Sequence, residues 1–481
     1  MTSRKPLPTR AIALFICVAV ARGGCAAAQE GFTPLESQGK GARIVLKAAH
    51  LFDAVDGRLR SSATVVVQDG KIESVTTSND GREAGDQHNA GDGWRPADTR
   101  RTDTAHTAGN VPLAEGARVI DLGDATLLPG FIDAHVHIAY EFDEDYYRHA
   151  WDLLTRFTAE QAFYSAVFAR RTLEAGFTTI RNVGATGEYI DISVRNAINA
   201  GVIPGPRILA AAHAISSTGG SCDQWPFPPQ RIPPRNPIDG TCNGAEQCRE
   251  AVRDQIKWGA DLIKVCVSGG VLSADPVDVP EFSREEISAM IAEAHAWRRK
   301  VAAHAHGDTA ARLAIEAGVD SIEHGSFLTE DTLRLMKRKG VYLVPTRMAI
   351  YWVQKQADTY PPIIAAKARA AAAAHTNMFK AALRIGVPIA LGTDQTVMPG
   401  GHGKNAMEFG LMADLGMTPA AALIAGTSGG AKLLGVANEV GTVEVGKWAD
   451  MVAVPGDVTA NIHATENPLF VMQHGRVVVQ K

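Results

Sequence analysis

The strongest constraint on how this chain folds is a rhythm in its middle. From Gly130 to Asp394, short apolar or β-branched runs alternate with amphipathic helical stretches, the pattern of a parallel sheet joined by crossover helices. Eight candidate strands can be counted: Gly130 to His137, Thr178 to Asn182, Arg207 to Ala211, Leu262 to Val267, Lys300 to His304, Ser321 to His324, Val341 to Pro345 and Pro388 to Thr393. Eight parallel strands close a barrel, so the expected class is α/β, a (β/α)8 TIM barrel. The stretch SREEISAMIAEAHAWR, from Ser283 to Arg298, represents the helices. Its Ser283 and Glu286 make a capping box, and Ile287, Ile291 and Ala294 mark one apolar face.

A barrel takes about 250 residues, and this chain has 481, so a second domain is expected. Residues 43–77 carry short β-rich runs broken by Asp-Gly pairs, which reads as antiparallel hairpins. The strand pattern resumes at Ala117 to Leu122, and short strands return from Gly441 to Val479. A small β-sandwich domain built from both termini is therefore expected, its parts at 43–127 and 437–481 flanking a barrel at 128–436. From Ser78 to Pro112 the chain turns polar and almost free of aliphatic residues, an insertion expected to be disordered.

The first 28 residues read as a secretory signal peptide: Arg4, Lys5 and Arg10, then the apolar run Ala11 to Ala21, then Ala26-Ala27-Ala28. An exported, periplasmic or secreted protein without a stable membrane span is expected. Cys25 is a poor lipid-attachment site, because Arg22 stands where an aliphatic residue is wanted. Export permits disulfides among Cys222, Cys242, Cys248 and Cys266. Cys266 lies in an apolar run and reads as a buried thiol; Cys242 with Cys248 is a candidate bridge, the pairing being open in sequence. The formal charge of -4, with no long basic tract, gives nucleic-acid binding no electrostatic footing. Hydrophobic residues at 46% and charged ones at 21% are enough for a large core and exclude disorder of the whole chain.

Metal-ligand residue types fall at or near the C-terminal ends of the candidate strands, where barrel active sites are built. His135 and His137 are two apart, so a strand turns both rings to one side. Lys264, His304, His324 and Asp394 stand at the ends of the fourth, fifth, sixth and eighth strands. One such histidine is ordinary; the set is not. His306 follows His304 by two and points into the same cavity. His213, Tyr140 and Arg347 follow the third, first and seventh strands and are further candidates for substrate contact, Arg347 through a bidentate pairing with a carboxylate or else through a rim salt bridge.

The strings PGFIDAHVHI, DLIKV, VAAHAHG, SIEHGS and LGTD, in this order, together with GTVEVGKWADMVAV, resemble the amidohydrolase superfamily. Within it the chain is most similar to the exported branch of Xaa-Pro and other metal-dependent dipeptidases and ochratoxin-hydrolysing amidohydrolases. The resemblance implies two divalent ions, most simply zinc. His135, His137 and Asp394 would hold one and His304 and His324 the other, with Lys264 carboxylated and bridging both. It further implies that a metal-bridging hydroxide attacks the amide, with Asp394 as general base and acid. The substrate would be a small molecule, a dipeptide, N-acyl amino acid or ochratoxin-like amide, and the protein a homo-oligomer. Ser221 and Cys222 stand where relatives often carry His and Gly. Two rival readings remain. A mononuclear imidazolonepropionase or deaminase type lacks the strand-four lysine. A non-catalytic periplasmic metal-binding protein has no use for Asp394 as proton carrier.

Overall fold

The computed structural model describes residues 43–82, 117–145, 148–185, 188–223, 230, 234–273 and 275–481. The expected signal peptide, and the polar insertion from residue 83 onward, lie outside the described residues. The strands, in chain order, are β1 (Arg43–Asp53), β2 (Arg58–Gln68), β3 (Lys71–Arg82), β4 (Arg118–Asp121), β5 (Ala125–Pro129), β6 (Phe131–Val136), β7 (Phe177–Asn182), β8 (Arg207–Ala210), β9 (Leu262–Cys266), β10 (Lys300–Ala305), β11 (Ser321–His324), β12 (Tyr342–Val344), β13 (Met451–Pro455), β14 (Phe470–Gln473) and β15 (Arg476–Gln480).

The middle of the chain alternates strand and helix as its periodicity requires. The helix Arg284–Ala296 shows why: Ser283 accepts from the Glu286 amide in a reciprocal capping box, and Ile287, Ile291 and Ala294 are buried. Two parallel sheets result, ordered β6-β7-β8 and β12-β11-β10-β9. Seven of the eight expected strands form. The eighth segment, Pro388 to Thr393, runs between β12 and β6 without becoming a strand. Pro388 has no N–H to give, and the remaining amide bonds go three ways, so no ladder accumulates. Ala390 N donates to Leu343 O at 3.0 Å, Leu391 N donates to Ala425 O at 3.0 Å, and Leu391 O accepts from Ala134 N at 2.8 Å. At the other seam Ile215 stands beside β9, its N donating to Lys264 O and its O accepting from Cys266 N, each at 2.8 Å. The arrangement is TIM-barrel-like, with backbone hydrogen bonds across both seams rather than one continuous ring of eight strands.

Strands from the two ends of the chain come together in one hydrogen-bonded sheet of eight strands, β15-β14-β13-β5-β1-β2-β3 with β4 also on β1. The edge of β1 takes β4 at Ile44 to Lys47 and β5 at His50 and Leu51, and β13 then pairs with β5, so one ladder joins both ends of the chain. Leu46, Val65, Leu127, Met451 and Phe470 are among its fully buried side chains. Two hairpins close with Asp69-Gly70 and His474-Gly475, all four residues at positive φ as a type I′ turn demands. The turns abut: a Cβ on Gly475 would come within 2.7 Å of the Gly70 Cα. Asp450 joins this sheet to the barrel, accepting from Arg207 Nη1 at 2.8 Å and from the His474 amide at 2.7 Å.

Cys242 is bonded to Cys248, the pair singled out in sequence. Cys266, read there as a buried thiol, is instead bonded to Cys222. The Ile215 hydrogen bonds explain the correction, because they bring the chain after β8 back alongside the end of β9. Among the described residues no helix is long and apolar enough to cross a membrane.

Candidate metal centre

β9, β10 and β11 set the inner wall in register. Lys264 aligns with Ala302 and Ser321, and Cys266 aligns with His304 and Glu323, so all of these side chains face the same way. His324 follows Glu323 and by strict alternation would face away. It adopts φ 67°, which turns its ring back toward the others. Thr346 and Asp394 also hold positive φ, at 51° each, just after β12 and the eighth segment. Non-glycine residues there are costly, about 1–3 kcal/mol each, and tend to cluster where function needs a particular direction.

These turns bring the donor atoms together. Ring nitrogens of His304, His306 and His324 lie within 4.8 Å of one another, as do donor atoms of His135, His324 and Asp394. His137 Nε2 is 3.6 Å from Asp394 Oδ1, and His135 Nε2 is 3.9 Å from the same oxygen. The other nitrogen of each ring is engaged elsewhere. His135 Nδ1 donates to Glu323 Oε2 at 2.7 Å and His137 Nδ1 to Gly184 O at 2.9 Å. His324 Nδ1 pairs with Thr346 Oγ1 at 2.7 Å, and His306 Nδ1 with Ser326 Oγ at 2.8 Å. Such outer partners fix tautomer and ring direction in metal sites. His304 Nε2 is buried and without a hydrogen-bond partner among the described residues, an uncompensated lone pair or N–H that a cation would explain.

The electrostatics agree with this donor set. Burial, then Lys264, lowers His137 to about 4, and burial, then Lys367 and Lys264, lowers His306 to about 3. His135, His304 and His324 fall well below the usual range, burial again leading. All five rings are therefore neutral near pH 7, the form that ligates a cation. Burial pulls Lys264 down to about 8 against the pull of Glu323 and Asp394, and Arg181 lowers it further. Burial raises Asp394 to about 7, Lys264 opposing, and Asp133 and Glu323 adding.

Several supporting residues carried no assignment from sequence. Arg181 reaches across the barrel from β7, donating to Ala134 O at 2.5 Å, Ser321 Oγ at 3.1 Å and Glu323 Oε1 at 2.7 Å. Burial works against an ionised Glu323, yet Arg181 and His135 outweigh it and hold the carboxyl below its ordinary range. Asp133 accepts from the amides of His135 and Thr393 and from Asn405 Nδ2, tying the first strand to the segment that carries Asp394. The available signal was a charged residue inside a buried run: Asp133 in PGFIDAHVHI, Glu323 in SIEHGS.

The substrate-contact candidates divide. Tyr140 is stacked on His137 at 5.6 Å and acts electrostatically with Asp394, while its carbonyl is held by Thr396 Oγ1 at 2.7 Å. Arg347 is buried at the start of helix Arg347–Lys355. Its Nη1 donates to His375 Nδ1 at 2.8 Å, and its Nε has no partner among the described residues. His213 is turned elsewhere, with Nδ1 donating to Ile238 O at 3.0 Å and its ring 4.6 Å from that of Tyr189, and it joins neither donor group.

A TIM-barrel-like α/β fold that gathers imidazoles and an aspartate near its strand ends is an arrangement able to hold a divalent cation. Residues 126–479 match the model of the amidohydrolase family, and the chain belongs to that family. It is 34% identical over 360 residues to an ochratoxinase of Aspergillus niger, covering 71% of this chain and 72% of that one. Among solved structures it is similar to a Xaa-Pro dipeptidase with bound methionine in the active site, with TM-score 0.78, 33% identity and 91% and 99% of the two chains covered. The crystal structure of the A. niger ochratoxinase gives TM-score 0.75 and 27% identity over 92% and 96%. A prolidase complexed with N-methylphosphonate-L-proline gives 0.74 and 27% over 92% and 100%.

Proposed function

We propose that this protein hydrolyses an amide or peptide bond in a small substrate, a dipeptide, an N-acyl amino acid or an ochratoxin-like amide, with two divalent ions held between the barrel strands. The observation that carries the reading is the convergence of His304, His306 and His324 and of His135, His324 and Asp394, with His137 beside Asp394 and the buried His304 Nε2 without a partner among the described residues. His135, His137 and Asp394 would hold one ion and His304 and His324 the other, with His306 close enough to share the second. Imidazole and carboxylate donors suit zinc. When bound, such ions polarise a carbonyl and make water acidic enough to serve as nucleophile near pH 7.

The chain's own residues have the following roles in this reading. Lys264, with its ammonium disfavoured by burial, has an appreciable neutral fraction near pH 8. The neutral amine adds carbon dioxide to give a carbamate and a released proton, replacing a cation among the imidazoles by a two-oxygen anion. Asp394, raised to about 7, is poised to take a proton and return it to the leaving nitrogen. Glu323 and Arg181 keep the His135 ring pointed inward. Arg347, a buried guanidinium with Nε unengaged among the described residues, supports a substrate that carries a carboxylate. The two disulfides fit an oxidising compartment and so support export.

The test is a screen of dipeptides and N-acyl amino acids with zinc-loaded protein supplied with bicarbonate, run beside Lys264→Ala. The wild type is expected to turn over at least one member of the panel and the variant none. Equal rates in both would remove the carbamate from the account.

A further inference from the structure

The Cys222–Cys266 bond lies at the candidate centre itself. Cys266 follows Lys264 by two on β9, so both side chains face inward, and it sits in register with His304 on β10. Cys266 is fully buried, and its bond runs across the β8–β9 seam to the loop that follows β8. Among the described residues that seam has no continuous strand ladder: Ile215 and Val265 form an isolated bridge, and the Asp261 amide donates to Ala210 O at 2.7 Å.

The loop from Ser216 to Asp223 has a second attachment to the same wall. Ser221 Oγ donates to Ser268 O at 3.1 Å, and Ser268 Oγ accepts from the His306 amide at 2.8 Å. The Ser221 amide donates to Glu281 Oε1 at 2.7 Å, and the Cys222 amide donates to Ser216 Oγ at 3.2 Å. One covalent link and one hydrogen-bonded relay thus connect this loop to residues beside Lys264 and His304 and to His306.

We propose that Cys222 and Cys266 are a positioning pair for the catalytic centre: their bond holds the 216–223 loop against the end of β9, walling Lys264 and His304 from water at a seam of the barrel that lacks a strand ladder. The proposal rests on the hydrolase reading above for its kinetic consequence only. Without the bond the loop keeps its hydrogen bonds, but these are exposed to competition from water, and the local opening free energy of the loop falls. The metal-ligand wall then loses rigidity on one side, where small displacements reduce rate steeply.

The test uses the full chain. Peptide mapping of the unreduced wild type is expected to recover residues 222 and 266 as one linked species; finding both as free thiols would overturn the proposal. Cys222→Ser leaves Cys266 as a buried thiol and disturbs the core least. In the folded variant, amide hydrogen exchange across 216–223 is expected to rise at least about tenfold, and bound metal is lost faster to a chelator. kcat/KM should fall by about ten- to a hundredfold, chiefly through kcat. Exchange, metal retention and kinetics all equal to wild type would overturn it, and so would a variant that does not fold at all, since a local brace leaves the rest of the chain intact. Exchange and metal retention need no substrate. A wild type inert toward every amide would therefore defeat the hydrolase reading while these two measurements still judged the brace.

Discussion

A buried carboxylate between a guanidinium and an imidazole has its ionisation decided by those neighbours, and Glu323 is in that position, with Arg181 on one oxygen and His135 on the other. Glu323→Gln keeps the shape but removes the charge that orients His135 and balances Arg181. Metal affinity is expected to fall about 10- to 100-fold, read by competition with a chelating dye, while the fold is retained. Unchanged affinity would mean that the ring needs no such partner. At this scale the sequence was most legible where residue type alone is informative: His135, His324 and Asp394, with His137 beside Asp394, and His304 with His324 lie close to one another. It was least legible where direction depends on backbone twist. Nothing in SIEHGS says that His324 reverses its face through a positive φ, and His213, equally near a strand end, turns toward Ile238 instead.

Among the elements, the loop after β8 and the segment after β9 meet at Glu281, whose carboxyl burial pushes up to about 7 from an ordinary value of 4.5, Asp275 adding, while the Ser221 amide and Ser216 oppose. An acid with a raised folded-state pKa binds its proton more tightly when folded. Its contribution is fully present below about 4.5 and is lost as pH rises through about 7. Denaturant titrations across that window are expected to show Glu281→Gln less pH-sensitive than wild type, and parallel profiles would contradict the assignment. The strands illustrate what periodicity carries and what it omits. Short apolar runs between helical stretches located seven barrel strands, most of them buried on both faces, and Asp-Gly breaks located the hairpins of β1 to β3. Pro388 to Thr393 has the apolar run of a strand, but its amides are divided among three neighbours, which no local pattern encodes. Cys266 in an apolar run looked like packing because its partner lies 44 residues away.

For the whole molecule, the sheet built from both termini is fastened to the barrel through Asp450, which is almost fully buried with Arg207 and the His474 amide as partners. Asp450→Ala leaves that guanidinium without its counter-charge, and stability is expected to fall by roughly 3–5 kcal/mol, seen as a lower denaturation midpoint. A change under about 1 kcal/mol would place the joint elsewhere. The wish of both chain ends to share one sheet was visible in their strand patterns. That one ladder joins them depends on β1 being long enough to pair twice along one edge.

The central claim is a site for two ions bridged through Lys264, and elemental analysis of the purified protein tests it most directly. Dialysed wild-type chains loaded with zinc and bicarbonate should retain two ions each, and Lys264→Ala chains fewer. One tightly held ion per wild-type chain, unaltered by that substitution, would contradict the account and favour a mononuclear relative.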